Sequence, residues 1–507
     1  MFKYLDKMFD GFNMYKLLIF YLSIILLAAT FLSYFKVLAY SPLYLILSTF
    51  LFVFFAWLFN YLMSYIFDAP VNPESSIITG LILALIITPV YQSFTSITFI
   101  LAVTGLAMAS KYILAIKERH IFNPAAVAVA LTAIGPRQSA SWWVGSAALM
   151  PIVLIGGIIL IRKIKREEMM IYYVVASLIV TTVYAVIDKT GVVTSIKNAI
   201  LTSPLLFLGF VMLTEPLTSP SNRKTQRWYG VLVGALIPPQ VHFMNYYTSP
   251  EIGLIIGNIF GYLFGPKTKL FLYVRDKVKV AKNTYDFIFT PDKSLHYLPG
   301  QYMEFTLPHD KVDFRGSRRY FTLASSPTEN DLRLGIKFYN DSSSYKKRLL
   351  EGDSNTLVIA SHVSGDFVMP KNKSEPLVFV AGGIGITPFR SMIKYLIDKN
   401  ENRDIVLLYF AADKDDFAYR DIFESARSKL NIKVYYFMSA PDAVSFSDNS
   451  FKGVISDRLI KQLIPDYNNR KFYLCGPTGM LSASNDILLN LGLPRKQIVK
   501  DYFPGYL

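Results

Sequence analysis

Residues 318–327 read Arg-Arg-Tyr-Phe-Thr-Leu-Ala-Ser-Ser-Pro, and what flanks them decides the fold. Alternation sets Phe321 and Leu323 on one face and Tyr320 and Thr322 on the other, the period of a half-buried strand with a basic start. After this stretch the chain has the mixed charge of a water-facing protein, and before about residue 265 it does not. Runs 17–32, 44–66 and 152–161 carry no charge, and an apolar helix of about 20 residues crosses a bilayer. The 507 residues therefore divide into a polytopic α-helical membrane domain over 1–266, a soluble antiparallel β-barrel over 267–372 and a soluble α/β domain over 373–507.

Ten spans, several of them short or broken, are expected at 16–36, 43–66, 75–89, 92–109, 121–135, 143–161, 170–187, 198–214, 228–240 and 251–265. The first apolar run is too long for a cleavable signal and lacks a small-residue cleavage site. A net charge of +15 could suit a nucleic acid, but the basic residues cluster between spans, which is the positive-inside pattern. Lys111, Lys117 and Arg119, then Arg162, Lys163, Lys165 and Arg166, then Arg223, Lys224 and Arg227 fall on one side. Lys36, Arg137, Lys189 and Lys197 fall on the other. A cell inner (cytoplasmic) membrane protein follows, with the bilayer as partner, no nucleic acid, and the C-terminal module in the cytoplasm.

Cys475 is the only cysteine, which excludes a disulfide and an all-cysteine iron-sulfur cluster within this chain. A bis-histidine haem needs facing histidines in the bundle. Only His120 and His242 lie in the apolar half, on opposite membrane faces, so no haem and no metal site are expected.

Outward from the opening strand, short strands at 271–280, 285–290, 301–307 and 332–339 alternate with Pro-Gly and Pro-Asp turns. They suit a Greek-key barrel. Ser343 and Ser344 open a short helix, whose first N–H groups and dipole favour an anion. From residue 376 strand-turn-helix units repeat, the order of a parallel sheet flanked by helices. The first turn is Ala381-Gly382-Gly383-Ile384-Gly385-Ile386-Thr387-Pro388. Glycines admit a pyrophosphate to the backbone, and proline suits a helix start. Cys475-Gly476-Pro477 ends a later strand, and Asp501-Tyr502-Phe503-Pro504-Gly505-Tyr506 nearly ends the chain.

Together these motifs resemble the ferredoxin-NADP reductase superfamily from about residue 268 to 507. The resemblance implies an FAD-binding barrel and an NAD(P)-binding α/β domain. Arg319 would then fork onto the FAD pyrophosphate, which suits guanidinium better than ammonium. Phe321 would lie against the isoalloxazine, Thr322 would approach the flavin N5, and Ser325 completes the signature. Ser343 and Ser344 would meet the diphosphate. Gly382, Gly383, Gly385, Thr387 and Pro388 would form the nicotinamide-dinucleotide turn, with Cys475, Gly476 and Pro477 beside the nicotinamide. Phe503 would cover the flavin until nicotinamide displaces it, and Thr322, Cys475 and Phe503 carry the catalytic roles. Asp501 stands where the family has Glu, and the helix at Ser343 lacks the family's preceding glycines. Asp413, with Asp415 and Asp416, favours a free ribose hydroxyl and so NADH; Lys414 and Arg420 leave NADPH as the alternative.

In the apolar half three passages stand out: Ser75-Ser76-Ile77-Ile78-Thr79-Gly80-Leu81, His120-Ile121-Phe122-Asn123-Pro124-Ala125-Ala126, and Leu213-Thr214-Glu215-Pro216-Leu217-Thr218-Ser219-Pro220. They resemble the B subunit of sodium-pumping NADH:quinone reductases and the D subunit of Rnf electron-transport complexes. Each sets polar groups beside a short apolar half-helix, the way discontinuous helices build a membrane pocket. Thr79, Asn123, Thr214, Glu215 and Thr218 are the expected lining, since polar groups at membrane depth are costly without a ligand or each other. The family's Ser-Gly-Ala-Thr site for covalent FMN is missing, so a noncovalent FMN or riboflavin is expected instead.

The sequence thus describes a membrane-bound flavoprotein oxidoreductase. It passes electrons from NADH through FAD to the membrane domain and on to a quinone or an extracytoplasmic acceptor, alone or with other electron-transport subunits. A redox-regulated or redox-driven ion or small-molecule transporter with a cytoplasmic reductase is the alternative.

Overall fold

The computed structural model describes residues 14–67, 73–89, 94–116, 119–135, 138–220, 222–244, 246–264, 269–293, 295–313, 315–430, 432–440 and 447–502. Two compact units form, Met1–Lys267 and Thr268–Leu507.

The N-terminal unit is helical: α1 Met14–Tyr34, α2 Pro42–Ile66, α3 Pro73–Ile86, α4 Phe94–Ile113, α5 Pro124–Ile134, α6 Met150–Ile164, α7 Glu167–Ile187, α8 Val192–Leu201, α9 Leu205–Leu213, α10 Arg223–Leu236 and α11 Pro250–Phe264. Each expected span interval contains a helix, but among the described residues only four reach the length and apolarity of a span: α1, α2, α7 and Ser96–Ile113 of α4. Counting α8 and α9 as one broken span, bent by 52°, makes five. Proline explains the shortfall. Pro73, Pro124 and Pro250 each open one of the shorter apolar helices, where a missing N–H costs nothing. The 14 residues of α3 extend about 21 Å, well short of a hydrocarbon core of about 30 Å. Of the basic residues used for topology, Lys117 and Arg137 lie outside the described residues.

Leu27, Phe31, Phe50, Ile171, Ile179 and Ile187 are exposed on α1, α2 and α7. Apolar surface on this scale suits a lipid environment. Inside, α7 and α10 come within backbone contact. A Cβ on Gly230 would stand 2.5 Å from the Met169 carbonyl oxygen, and one on Gly234 would stand 2.2 Å from that of Tyr173. Tyr173 and Tyr229 are fully buried at this crossing, and the Tyr173 hydroxyl donates to the Leu205 carbonyl at 3.0 Å, tying α7 to the start of α9.

The C-terminal unit holds two six-stranded sheets. The antiparallel one consists of β1 Lys269–Ala281, β2 Thr284–Phe289, β3 Tyr302–Thr306, β4 Arg318–Thr322, β5 Leu332–Lys337 and, after α12 Ser344–Glu351, β6 Leu357–Ser364, in the order β4-β3-β6-β1-β2-β5. The parallel one consists of β7 Leu377–Gly382, α13 Thr387–Asp398, β8 Ile405–Ala411, α14 Arg420–Leu430, β9 Lys433–Met438, β10 Ser450–Lys452, α15 Asp457–Leu463, β11 Lys471–Gly476, α16 Thr478–Asn490 and β12 Ile498–Tyr502, with strand order β10-β9-β8-β7-β11-β12. Central β7 is buried throughout. Leu377, Phe379 and Ala381 enter one core, and Val378 and Val380 enter the other, as expected for a parallel strand covered on both faces.

The α7–α10 crossing makes a clear prediction. Gly234→Ala forces a methyl group into backbone and should destabilise the helical unit by about 1–3 kcal/mol or more. Gly105→Ala, whose Cβ would meet only the Phe59 ring at 3.7 Å, should be tolerated. Thermal aggregation of the detergent-solubilised pair measures both; equal stability would remove the packing argument.

Candidate functional site

Strand β4 pairs antiparallel with β3, placing Arg319 opposite Phe305 and Thr322 opposite Tyr302. Arg319 is 3% exposed. Its Nη1 donates to the carbonyls of Arg315 at 2.8 Å, Gly316 at 3.0 Å and Arg318 at 2.6 Å, and its Cζ stands 5.3 Å from the Tyr345 ring. Phe321 faces the same way, with ring centroids 6.0 Å from Phe305 and 5.9 Å from Tyr345. Two buried hydroxyls in this neighbourhood, Thr322 Oγ1 and Tyr345 Oη, have no hydrogen-bond partner among the described residues. A buried unpaired hydroxyl is costly, so these groups fit a ligand that carries its own donors and acceptors, as a flavin nucleotide does. The Ser325 hydroxyl accepts from Tyr297 Oη at 3.1 Å and from the Arg333 amide at 3.1 Å, which makes it a joint between segments.

The start of α12 has an internal anion. Ser343 Oγ caps the helix by accepting from the Lys346 amide at 3.4 Å. The Ser344 amide donates to Asp313 Oδ2 at 2.8 Å, while Ser344 Oγ accepts from the Asp313 amide at 2.9 Å and lies 3.0 Å from His309 Nε2. A carboxylate therefore holds the amide that the sequence offers to a diphosphate. Burial works to raise the Asp313 pKa, but the Ser344 amide and Arg315 outweigh it and keep the carboxyl below its ordinary range. Next door, burial and then the charges of Arg319 and Arg315 push Lys346 down to about 8, as desolvation beside like charges does to an ammonium.

At the carboxyl end of β7 the chain turns through Gly383–Ile386 into α13. Gly383 has φ +52° with open space where its Cβ would be, whereas a Cβ on Gly385 would stand 2.5 Å from the Cys475 carbonyl oxygen. One glycine supplies the left-handed bend and the other the close approach of β11. Gly382 lies against Pro477 and Met480. Pro388 occupies the first turn of α13, and Thr387 Oγ1 donates to the Ile384 carbonyl at 3.2 Å. Cys475 is fully buried and registers with Ala381 on β7 and Asp501 on β12. The glycine turn and the Cys475-Gly476-Pro477 segment therefore meet at one edge of the sheet. Asp413 caps the turn after β8 by accepting from the Lys414 amide at 2.7 Å. Asp416 pairs with Lys337 at 2.9 Å, so it serves the junction of the two sheets. Phe503 lies outside the described residues.

Sequence reasoning missed the buried network between the sheets. Arg390 of α13, 3% exposed, forms a two-point ion pair with Glu329 and donates to the Ala324 carbonyl at 2.8 Å. Ser391 Oγ donates to the Ser325 carbonyl at 2.6 Å. Tyr419 Oη donates to Asp286 Oδ1 at 2.5 Å. The available signal was a basic residue on the apolar face of α13.

In the helical unit, Thr79, Asn123, Thr214 and Glu215 line one cavity with Tyr15, Ser75 and apolar residues of α1, α3, α6 and α9. Asn123 Nδ2 donates to Glu215 Oε2 at 2.8 Å and Thr218 Oγ1 to the same oxygen at 3.2 Å. His120 Nε2 stands 3.6 Å from Glu215 Oε1, so this histidine belongs to the cluster and is no isolated interfacial group. Asn258 of α11, also unanticipated, accepts from the Asn123 amide at 2.8 Å and donates to Tyr229 Oη at 3.0 Å. The Thr79 and Thr214 hydroxyls return to carbonyls of their own helices, at Ser75 and Phe210.

Comparison with known proteins agrees with this division. Residues 139–264 match the NQR2, RnfD, RnfE family, and residues 379–486 match the oxidoreductase NAD-binding domain. The flavohemoprotein of Oceanobacillus iheyensis is 29% identical over 237 residues, 45% of this chain and 57% of that protein. The glycine betaine monooxygenase reductase subunit of Chromohalobacter salexigens is 25% identical over 235 residues, 45% of this chain and 62% of that protein. The chain thus spans little more than half the length of these relatives. The FAD/NAD-binding domain of nitric oxide dioxygenase from Vibrio cholerae is similar at a TM-score of 0.41 and 21% identity, covering 46% of this chain and 98% of that one. Residues 379–486 are thus similar to NAD-binding oxidoreductase domains, and residues 139–264 of the helical unit to the NQR2, RnfD, RnfE family.

Asp313 supplies the test of the α12 terminus. Asp313→Asn removes the competing negative charge and should slow FAD loss from the purified protein, followed by flavin fluorescence on dilution. Unchanged or faster release would place the diphosphate elsewhere.

Proposed function

We propose that this protein is a membrane flavoprotein NADH dehydrogenase. NADH docks on the Gly383 turn, FAD lies along β4, and electrons leave for the helical unit and then for a quinone or an acceptor across the membrane. Bound flavin supplies the conversion of a two-electron hydride into single electrons, and the protein supplies geometry and electrostatics. The observation that carries the reading is that one compact unit holds both the open left-handed turn at Gly383 and a strand whose buried Thr322 hydroxyl awaits a partner. Residues 267–372 form the FAD domain and 373–507 the NAD(P) domain, with Cys475 and Phe503 beside the nicotinamide. Asp413 and Asp415 favour NADH over NADPH.

The helical segments of residues 14–264 lie in the cytoplasmic membrane as ten full or half spans, with the reductase module inside the cell. The cavity around Asn123 and Glu215 takes a noncovalent flavin or a quinone. Support comes from its make-up, an apolar slot with a polar end, the usual plan of small-molecule sites.

Two measurements test this. The absorption spectrum and flavin content of the purified chain should report FAD. Arg319→Ala should lose most of it, together with NADH oxidation by an artificial acceptor; full FAD retention in that variant would refute the assignment of β4. A reporter fused after Leu507 should be active only in the cytoplasm, and activity on the outer side would reverse the topology.

A further inference from the structure

Strand β5 runs past the nucleotide turn at Gly335. A Cβ there would stand 2.3 Å from Tyr419 Oη, 2.8 Å from Thr387 Cγ2 and 3.4 Å from Ile384 Cδ1, so the strand lies flush against both the turn and the tyrosine. Asp286 on β2 is the cross-strand partner of Gly335 and accepts from Tyr419 Oη at 2.5 Å. Asp286 is 1% exposed, and its other oxygen faces Arg333 Nη1 at 3.4 Å. Tyr419 itself has φ +59°, a conformation that a bulky residue keeps only where its surroundings enforce it. The Arg390 guanidinium lies 5.5 Å from its ring centroid. From Gly335 the connection to the flavin strand is short: the Arg333 carbonyl accepts from the Ala324 amide at 2.9 Å, two residues beyond Thr322.

We propose that the Asp286–Tyr419 hydrogen bond, seated on Gly335, is a positioning device. It sets the separation between the nucleotide turn at 383–387 and strand β4, and so governs the rate of hydride transfer while leaving the binding of either nucleotide alone. Both ends of the bond are buried, one on β2 of the antiparallel sheet and the other in the turn that leads from β8 of the parallel sheet into α14. Removing the hydroxyl leaves a buried carboxylate short of a donor, which is costly, and frees the turn to move away from β5. Hydride transfer needs reacting atoms within about 3–3.5 Å, and a misplacement of about 1 Å costs on the order of 100-fold. Asp286 and Tyr419 touch no reacting atom in this account; they act through Gly335, Ile384 and Thr387.

The inference rests on the NADH dehydrogenase reading, and the test separates the two. In the full chain stripped of flavin, Tyr419→Phe should speed amide hydrogen exchange at residues 383–387 and leave the rest of the parallel sheet unchanged. With FAD restored, its limiting rate of flavin bleaching by NADH should fall roughly ten- to hundredfold, with FAD stoichiometry and the half-saturating NADH concentration unchanged. Asp286→Ala, which removes the acceptor, should behave likewise. Gly335→Ala, which wedges the turn outward, should show the same rate loss if it folds. A wild-type limiting rate in Tyr419→Phe and Asp286→Ala would overturn the proposal, as would a rate loss matched by loss of FAD or of NADH affinity. If NADH fails to bleach the wild-type flavin at all, the dehydrogenase reading falls first and this inference falls with it.

Discussion

A guanidinium shut away from water must be neutralised where it lies, and Arg390 imposes that requirement on both sheets of the C-terminal unit. Its answer is Glu329, held at two points, and the Ala324 carbonyl, both from the segment that leaves β4. Glu329 in turn accepts from the Ser326 amide at 2.7 Å. The carboxylate therefore fixes the backbone just after β4 while its partner fixes α13, the helix that opens with Thr387 and Pro388. Breaking such a pair by deleting one member strands the other charge, so β4 and α13 have little freedom to drift independently.

The helical unit meets the same rule in a different setting. Broken helices leave backbone groups that an apolar environment cannot satisfy, and Asn123 answers for several at once. Its side-chain oxygen caps α5 by accepting from the Ala126 amide at 3.1 Å, its amide nitrogen donates to Glu215, and its backbone N–H goes to Asn258. Three helices of distant sequence are thereby pinned around one cavity edge. Glu215 accepts at one oxygen from two neutral donors and turns the other toward His120. A carboxylate set among apolar helices is costly, and its neighbours offset the cost without filling the cavity.

Much of this was legible in the chain because the motifs are local. The Gly383 turn, the strand at Arg319, the capping serine at 343 and the order of strands and helices after residue 376 depend on spacing and residue type within a few positions. The polar residues of the cavity were legible too, since Thr79, Asn123, Thr214 and Glu215 interrupt apolar runs. What did not show was long-range. Arg390 meets Glu329 across 61 residues, Tyr419 meets Asp286 across 133, and no periodicity announces such a pairing. His120 was undervalued for the same reason, because its partner Glu215 is distant in sequence.

The α12 terminus shows how a familiar element can be altered while its chemistry stays consistent. Where related turns carry glycines, this chain has Asp341 and Ser342, and Ser342 Oγ closes a tight turn by accepting from the Tyr339 amide at 2.9 Å. Backbone without glycine cannot come as close to a diphosphate. Asp313, from the loop before β4, takes the helix amide instead and is itself held by Arg315 at 2.9 Å. An anion arriving at this terminus must displace a carboxylate that is only half buried, and a solvent-accessible ion pair is worth little, about 0–1 kcal/mol. The displacement is therefore cheap, and Arg315, once released, adds a second guanidinium beside Arg319. Without the glycines, the groups this terminus can offer an anion are side-chain cations more than backbone amides, and burial first, then the charges of Arg319 and Arg315, lowers the Lys346 pKa beside them.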